Sequence, residues 1–192
     1  MFGFFKYIKS WFVSEIEESV EDLMKKYITS KILFAKSKGW IGPLRKEISF
    51  LNSIGLLSCD TKTLSERDVV YKPDVLSVGK FSIPWDYQFD TATTFIRNGG
   101  DCNSLNRVCQ VFKYMETGAA YLVTYVAHDP KKNHTTCIYY SKVNNKWFGF
   151  DYGKETKGFD TFKETLDQIA GKYKVDVLNY VAQDINWEFV NL

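Results

Sequence analysis

The chain has 192 residues, and few of its side chains can do covalent chemistry: four cysteines, Cys59, Cys102, Cys109 and Cys137, and two histidines, His128 and His134. Cys102 has the most pointed surroundings. It follows Gly99, Gly100 and Asp101, and it precedes an amphipathic run in which Leu105, Val108, Cys109, Phe112 and Met115 mark a helix ending near Gly118. At a helix start the unpaired amides and the positive end of the dipole favour a thiolate over a thiol. Asp101 can cap those amides with its short carboxylate. The two glycines let the backbone turn sharply and approach a substrate. Cys109 lies seven residues on, on nearly the same face but two turns deeper, and is expected to be buried and inert. A cysteine on an apolar helix face also serves as plain packing, so Cys102 needs a base before it is read as a nucleophile.

The base must be one of two histidines. His134 opens the strand pattern HTTCIYY, whereas His128 ends the preceding strand and is followed by Asp129-Pro130, a turn signal that places it at the solvent. Asp151 ends the strand KWFGFD and could orient an imidazole. Cysteine, histidine and aspartate then occur in the order of a nucleophile, its base and an orienting acid. Strand parity favours His134. His134 and Asp151 are 17 residues apart, an odd number, so in a hairpin with an even loop and no bulge they share one face. A two-residue loop at Asn144-Asn145 would leave them roughly 13 Å apart along the strand. A four- or six-residue loop would make them diagonal or directly opposite. The triad therefore requires a loop wider than that dipeptide. It also requires His134 to face Cys102.

The segments GGDCNSLNRVCQVF, NHTTCIYY and KWFGFDYG resemble the three catalytic blocks of the transglutaminase-like superfamily of papain-fold cysteine hydrolases. In that family a Gly-Asp-Cys segment opens a central helix, a histidine begins a strand and an aspartate ends the next one. The resemblance spans about Trp85 to Gly153. It implies Cys102 as nucleophile, His134 as base and Asp151 as orienting acid. The pattern departs at Asn133, where glycine is common, at Thr136, where an aromatic is common, and at Tyr152, where proline is usual. An oxyanion needs two donors. The Cys102 amide is one candidate, and the segment PWDYQFD supplies two more, the Gln88 side-chain amide and the Trp85 indole. Against that, Trp85 could be core and Gln88 exposed.

The rest of the chain must position these groups. Ile8, Phe12, Ile16, Val20, Leu23, Tyr27 and Ile28 follow a helical period and predict a helix from about Tyr7 to Leu33, packed through Ile8, Phe12, Ile16, Val20 and Leu23. Its aromatic tip could instead meet a partner or a membrane surface, although the acidic opposite face argues against the membrane. A second helix is predicted from Pro43 to Ile54. Residues 58–84 read as a connector with short strands. AAYLVTYVAH, HTTCIYYSKV, KWFGFDY, VDVLNYVAQ and NWEFVNL read as strands, with a helix after Asp160. Helices followed by a helix that feeds antiparallel strands give an α+β fold. The predicted division is an N-terminal helical extension over 1–57 and a transglutaminase-like catalytic domain over 58–192.

Composition narrows the function. Apolar residues make up 45% of the chain and aromatic residues 17%, enough for a sizeable core. A net charge of +2 with scattered lysines gives no support to a nucleic-acid role. No Cys-x-x-Cys pair suggests a structural zinc, and free thiols in the cytoplasm are expected. The N-terminus has neither a signal-peptide pattern nor an uninterrupted apolar span. The expected protein is a cysteine peptidase, amidase or acyltransferase acting on amide bonds of a protein or peptide, with no cofactor and no metal. The alternative is an inactive transglutaminase-like interaction module that binds a partner through its aromatic N-terminal helix.

Overall fold

Ala120–Ala127, the segment richest in valine, threonine and tyrosine, runs through the middle of the molecule's main sheet, as β propensity favours. A computed structural model describes residues 19–73, 75–78, 81–84 and 87–192. In chain order the helices are α1 (Val20–Ser37), α2 (Leu44–Ser53), α3 (Thr61–Ser65), α4 (Thr91–Ile96), α5 (Cys102–Thr117) and α6 (Phe162–Lys172). The strands are β1 (Val70–Tyr71), β2 (Val75–Val78), β3 (Phe81–Pro84), β4 (Gly99–Gly100), β5 (Ala120–Ala127), β6 (His134–Ser141), β7 (Lys146–Asp151), β8 (Lys154–Glu155), β9 (Val177–Gln183) and β10 (Phe189–Val190). Six strands form one sheet in the order β10-β9-β5-β6-β7-β8, with every neighbouring pair antiparallel. The fold is α+β, with the helix that starts at Cys102 packed on an antiparallel sheet.

Side-chain alternation sorts the sheet into two faces. On one face Ala120, Cys137, Tyr139 and Phe150 pack with Leu105, Val108, Cys109 and Phe112 of α5. Farther along the same face, Leu122, Val126 and Val181 pack with Met24, Ile28, Ile32 and Ala35 of α1. On the other face Val123, Tyr125, Ile138 and Ala182 pack with Phe162, Leu166 and Ile169 of α6. A capping box, Thr161 with Glu164, starts α6.

The N-terminal helix differs from the expected one. Ser19 is extended, and its hydroxyl caps the Asp22 amide, so the predicted continuous helix from Tyr7 is broken there. Glu21 and Asp22 in the first turn suit the positive end of the dipole. The packed stripe is Met24-Ile28-Ile32-Ala35, whereas Val20 is 51% exposed. Ile8, Phe12 and Ile16 lie outside the described residues. The connector at 58–84 holds a short helix, α3, besides its strands, and the chain forms a second unpredicted helix at α4. Each is started by an aspartate: Asp60 accepts from the Thr63 amide and Asp90 from the Thr93 amide.

Candidate active site

Cys102 is the first residue of α5, as its flanking sequence predicts. Asp101 is the N-cap, and its carboxylate accepts from the Asn103 and Ser104 amides at 3.0 and 3.2 Å. Gly118 ends the helix in the left-handed conformation at φ 74°. The paired glycines serve a different purpose from the expected one. They form β4, which runs parallel to β1. A Cβ on Gly99 would lie 1.9 Å from the Val70 carbonyl oxygen. The close approach they allow is thus to β1 and to α5 itself, not to an open groove. Cys102 is partly exposed, whereas Cys59, Cys109 and Cys137 are buried. The Cys109 thiol points at the Cys59 carbonyl, 3.7 Å away.

His134 and Asp151 meet. His134 Nε2 lies 2.7 Å from Asp151 Oδ1, with side chains 11% and 2% exposed. The reason is the hairpin loop. Ser141 pairs with Lys146, so the loop spans 142–145. This four-residue loop includes the Asn144-Asn145 signal, with Asn145 at φ 51°. The register carried on from Cys137↔Phe150 sets Asp151 across from Thr136 and diagonal to His134. With Nε2 engaged by the carboxylate, the proton-accepting nitrogen of a neutral imidazole is Nδ1.

Alternation gives His134 and Asp151 the parity of Ile138, which packs on α6, whereas α5 packs on the other face. The β6–β7 ladder opens near these two residues. Its pairing ends at Cys137↔Phe150, although both strands continue. At that opening Asn106, one turn after Cys102, donates to the Thr135 carbonyl at 2.7 Å and reaches Asp151 Oδ1 at 3.5 Å. Asn103 accepts from the Thr135 hydroxyl. The Thr135 hydroxyl is also 2.9 Å from that of Thr124. The first turns of α5 are therefore bonded to the end of β6 and touch the carboxylate that holds His134.

Three tyrosines surround the imidazole: Tyr125, Tyr152 and Tyr173, with ring centroids 5.8, 5.2 and 5.4 Å from it. Burial pushes all three hydroxyls above their ordinary range, and charge on Cys102 pushes each the same way. The imidazole thus sits in an aromatic enclosure. Tyr173, just after α6, also donates to Asp151 Oδ2. Burial would raise the Asp151 carboxyl. The His134 hydrogen bond and charge, with the Tyr173 hydroxyl, outweigh it and hold the group below its usual range.

The remaining candidates are placed as follows. His128 is exposed, as expected of a residue before a turn. Gln88 is 2% exposed, so its exposed alternative is overturned; its Nε2 has no hydrogen-bond partner among the described residues. Trp40 holds this segment, with Tyr87 and Phe89 packed on its ring and its carbonyl accepting from the Asp90 amide at 3.0 Å. Trp85 lies outside the described residues. Among the described residues no three His, Cys, Asp or Glu side chains are grouped to hold a metal ion, and no helix is long and apolar enough to cross a membrane. Asn106 and Tyr173 were missed from sequence. Asn106 carried a signal, since it is a polar residue four places after Cys102. Tyr173 carried none.

No protein-family model matches the chain, and no curated protein matches it. Among solved structures it is similar to calcium-bound LapG from Legionella pneumophila, at 12% identity over 82% of this chain and 83% of that one, with a TM-score of 0.42. A likeness at that level carries no argument about chemistry.

Proposed function

We propose that the protein is a thiol-dependent hydrolase or acyltransferase of the transglutaminase-like type, acting on amide bonds of a protein or peptide substrate. In this scheme 58–192 forms the catalytic unit and 1–57 an extension packed on it. The observation that carries the proposal is the 2.7 Å contact between His134 and Asp151 at the end of the sheet to which the first turns of α5 are bonded. The thiol of Cys102 gives its proton to His134 Nδ1, and the thiolate attacks the carbonyl carbon. The carbonyl π electrons move to oxygen. The Cys102 amide and the buried Gln88 side-chain amide are the proposed donors to that oxyanion, with Trp85 a further candidate. Collapse expels the amine, which takes the proton from His134 and leaves a thioester. Water, or a second amine, gives His134 a proton and attacks the thioester, releasing the acyl product and the thiol. Asp151 holds the ring and stabilises the imidazolium. A low cysteine count with no Cys-x-x-Cys pair suits a reducing compartment, the cytoplasm.

A non-catalytic interaction module is the second possibility. It is favoured by the exposed Val20, Leu33 and Phe34 on α1. Iodoacetamide labelling with mass mapping separates the two. An ordinary thiol is only a few per cent ionised at pH 7. A thiolate-imidazolium pair should therefore label Cys102 about tenfold or more faster, and His134→Ala should remove that gain while His128→Ala keeps it. A Cys102 rate that is ordinary and indifferent to His134→Ala would sink the hydrolase and leave the module.

A further inference from the structure

Tyr152, whose ring lies beside the imidazole, also lines a cavity of about 380 Å³, together with Leu64, Val69, Val70, Leu105 and Cys109. Three observations connect it to the candidate active site. Leu105 and Cys109 follow Cys102 at three and seven positions, so one face of α5 runs from the thiol into the cavity wall. Tyr152 belongs to both places, with its ring 5.2 Å from that of His134 and 5.7 Å from that of Tyr71, which also lines the cavity. The wall formed by α3 is built in. A Cβ on Gly153, at φ 75°, would lie 2.1 Å from the Thr61 amide nitrogen, and the Thr61 hydroxyl donates to the Tyr152 carbonyl.

The lining contains no charged side chain. An ionised group entering it would lose its water and gain no counter-ion, which is costly. An apolar group gains its transfer free energy there, equivalent to about ten- to a hundredfold in affinity for a side chain of leucine or phenylalanine size. The volume falls at the low end of ligand pockets, about 300–1,000 Å³. It suits one side chain rather than a cofactor.

We propose that this cavity is the specificity subsite of the enzyme: it takes one large apolar side chain of the peptide substrate, next to the amide that Cys102 attacks. The assignment of the subsite to substrate rests on the proposed hydrolase, and the test reads the two separately. Acetyl-phenylalanyl and acetyl-aspartyl chloromethyl ketones are compared as labels of Cys102, with iodoacetamide as a reagent that needs no subsite. In parallel, acetyl-phenylalanine methylamide and its aspartyl counterpart are titrated while the methyl resonances of Leu64, Val69 and Leu105 are followed. The apolar ketone should label at least tenfold faster than the acidic one. Ser65→Phe, which plugs the cavity from an exposed lining position, should bring that ratio close to one, and Ser65→Thr should retain it. The methyl shifts should follow the phenylalanine compound alone. A ratio near one in the unmodified protein, with Cys102 labelled normally by iodoacetamide, would overturn the subsite and leave the hydrolase standing. Methyls that do not move would overturn the pocket whatever the thiol does. An inert thiol with shifted methyls would fell the hydrolase and, with it, the pocket's assignment to substrate.

Discussion

At its middle α5 carries Arg107, ion-paired with Glu47 at 2.6 Å; at its first turns Asn106 reaches Asp151, which lies 2.7 Å from His134. Both are acid–base pairs, one between two helices and one between two strands, yet they are completed differently. Glu47 and Arg107 are 0% and 1% exposed, and their remaining polar atoms are used. Glu47 Oε2 accepts from the amide and hydroxyl of Thr91, while Arg107 donates to Gln110 and to the Ile185 carbonyl and lies over the Trp187 ring. That saturation ties α2, α4, α5 and the C-terminal segment together. Around His134 the accounts are left open. Asn106 Oδ1 and Tyr125 Oη are buried with no hydrogen-bond partner among the described residues. A buried pair whose capacity is used up holds structure, and a pair with capacity left over can take part in a reaction.

The sharpest way to break that contrast is Arg107→Ala. It leaves the Glu47 carboxylate buried and unpaired, and should cost about 3–5 kcal/mol in a urea unfolding experiment. A loss under 1 kcal/mol would put the two pairs on the same footing. Asp151→Asn should act through pH. The Asp151 carboxyl lies below its usual range in the folded protein. Its contribution is therefore full above the unfolded carboxylate value, about 3.9, and is lost as pH falls through the folded value. Unfolding curves taken between about pH 6 and pH 3 should show the variant and the parent converging toward acid. A gap that stays constant over that range would argue that the carboxylate has no special tie to His134. Tyr173→Phe is the mildest change. It removes one hydrogen bond to Asp151 and should cost about 1 kcal/mol. It should also slow Cys102 labelling by less than tenfold, since the ring is still held through Nε2. A larger slowing would make Tyr173 a principal positioning residue.

Much of this site could be read from residue types and spacing. Gly-Asp-Cys marked the start of α5 because capping is local chemistry. The odd separation of His134 and Asp151 fixed their common face once the loop was four residues long. The opening of the β6–β7 ladder could not be read, because it depends on where α5 lands, and that is set by packing many residues away. Asn106 reaches Asp151 at that opening, whereas Tyr173 reaches it from the end of α6, on the face that Asp151 shares with Ile138. The glycines were assigned freedom correctly but the wrong neighbour, since a two-residue strand such as β1 leaves too short a pattern to detect. α3 and α4 are too short to display a helical period, and only their capping aspartates announce them. Val20 matches the helical period of α1, yet it is exposed, and the stripe buried among the described residues starts at Met24.

Two of the hidden cysteines give the molecule its own gauge of opening. Cys59, Cys109 and Cys137 lie in the core around α5, and burial raises the thiols of Cys59 and Cys137 well above their ordinary range. Cys59 and Cys137 cannot meet a reagent until the surrounding core loosens, Cys109 lies in the wall of the cavity beside α3, and Cys102 is already partly exposed. One chain therefore carries a fast thiol that reports chemistry at the surface and slow thiols that time the excursions of the interior, and a single alkylation time course read residue by residue records both.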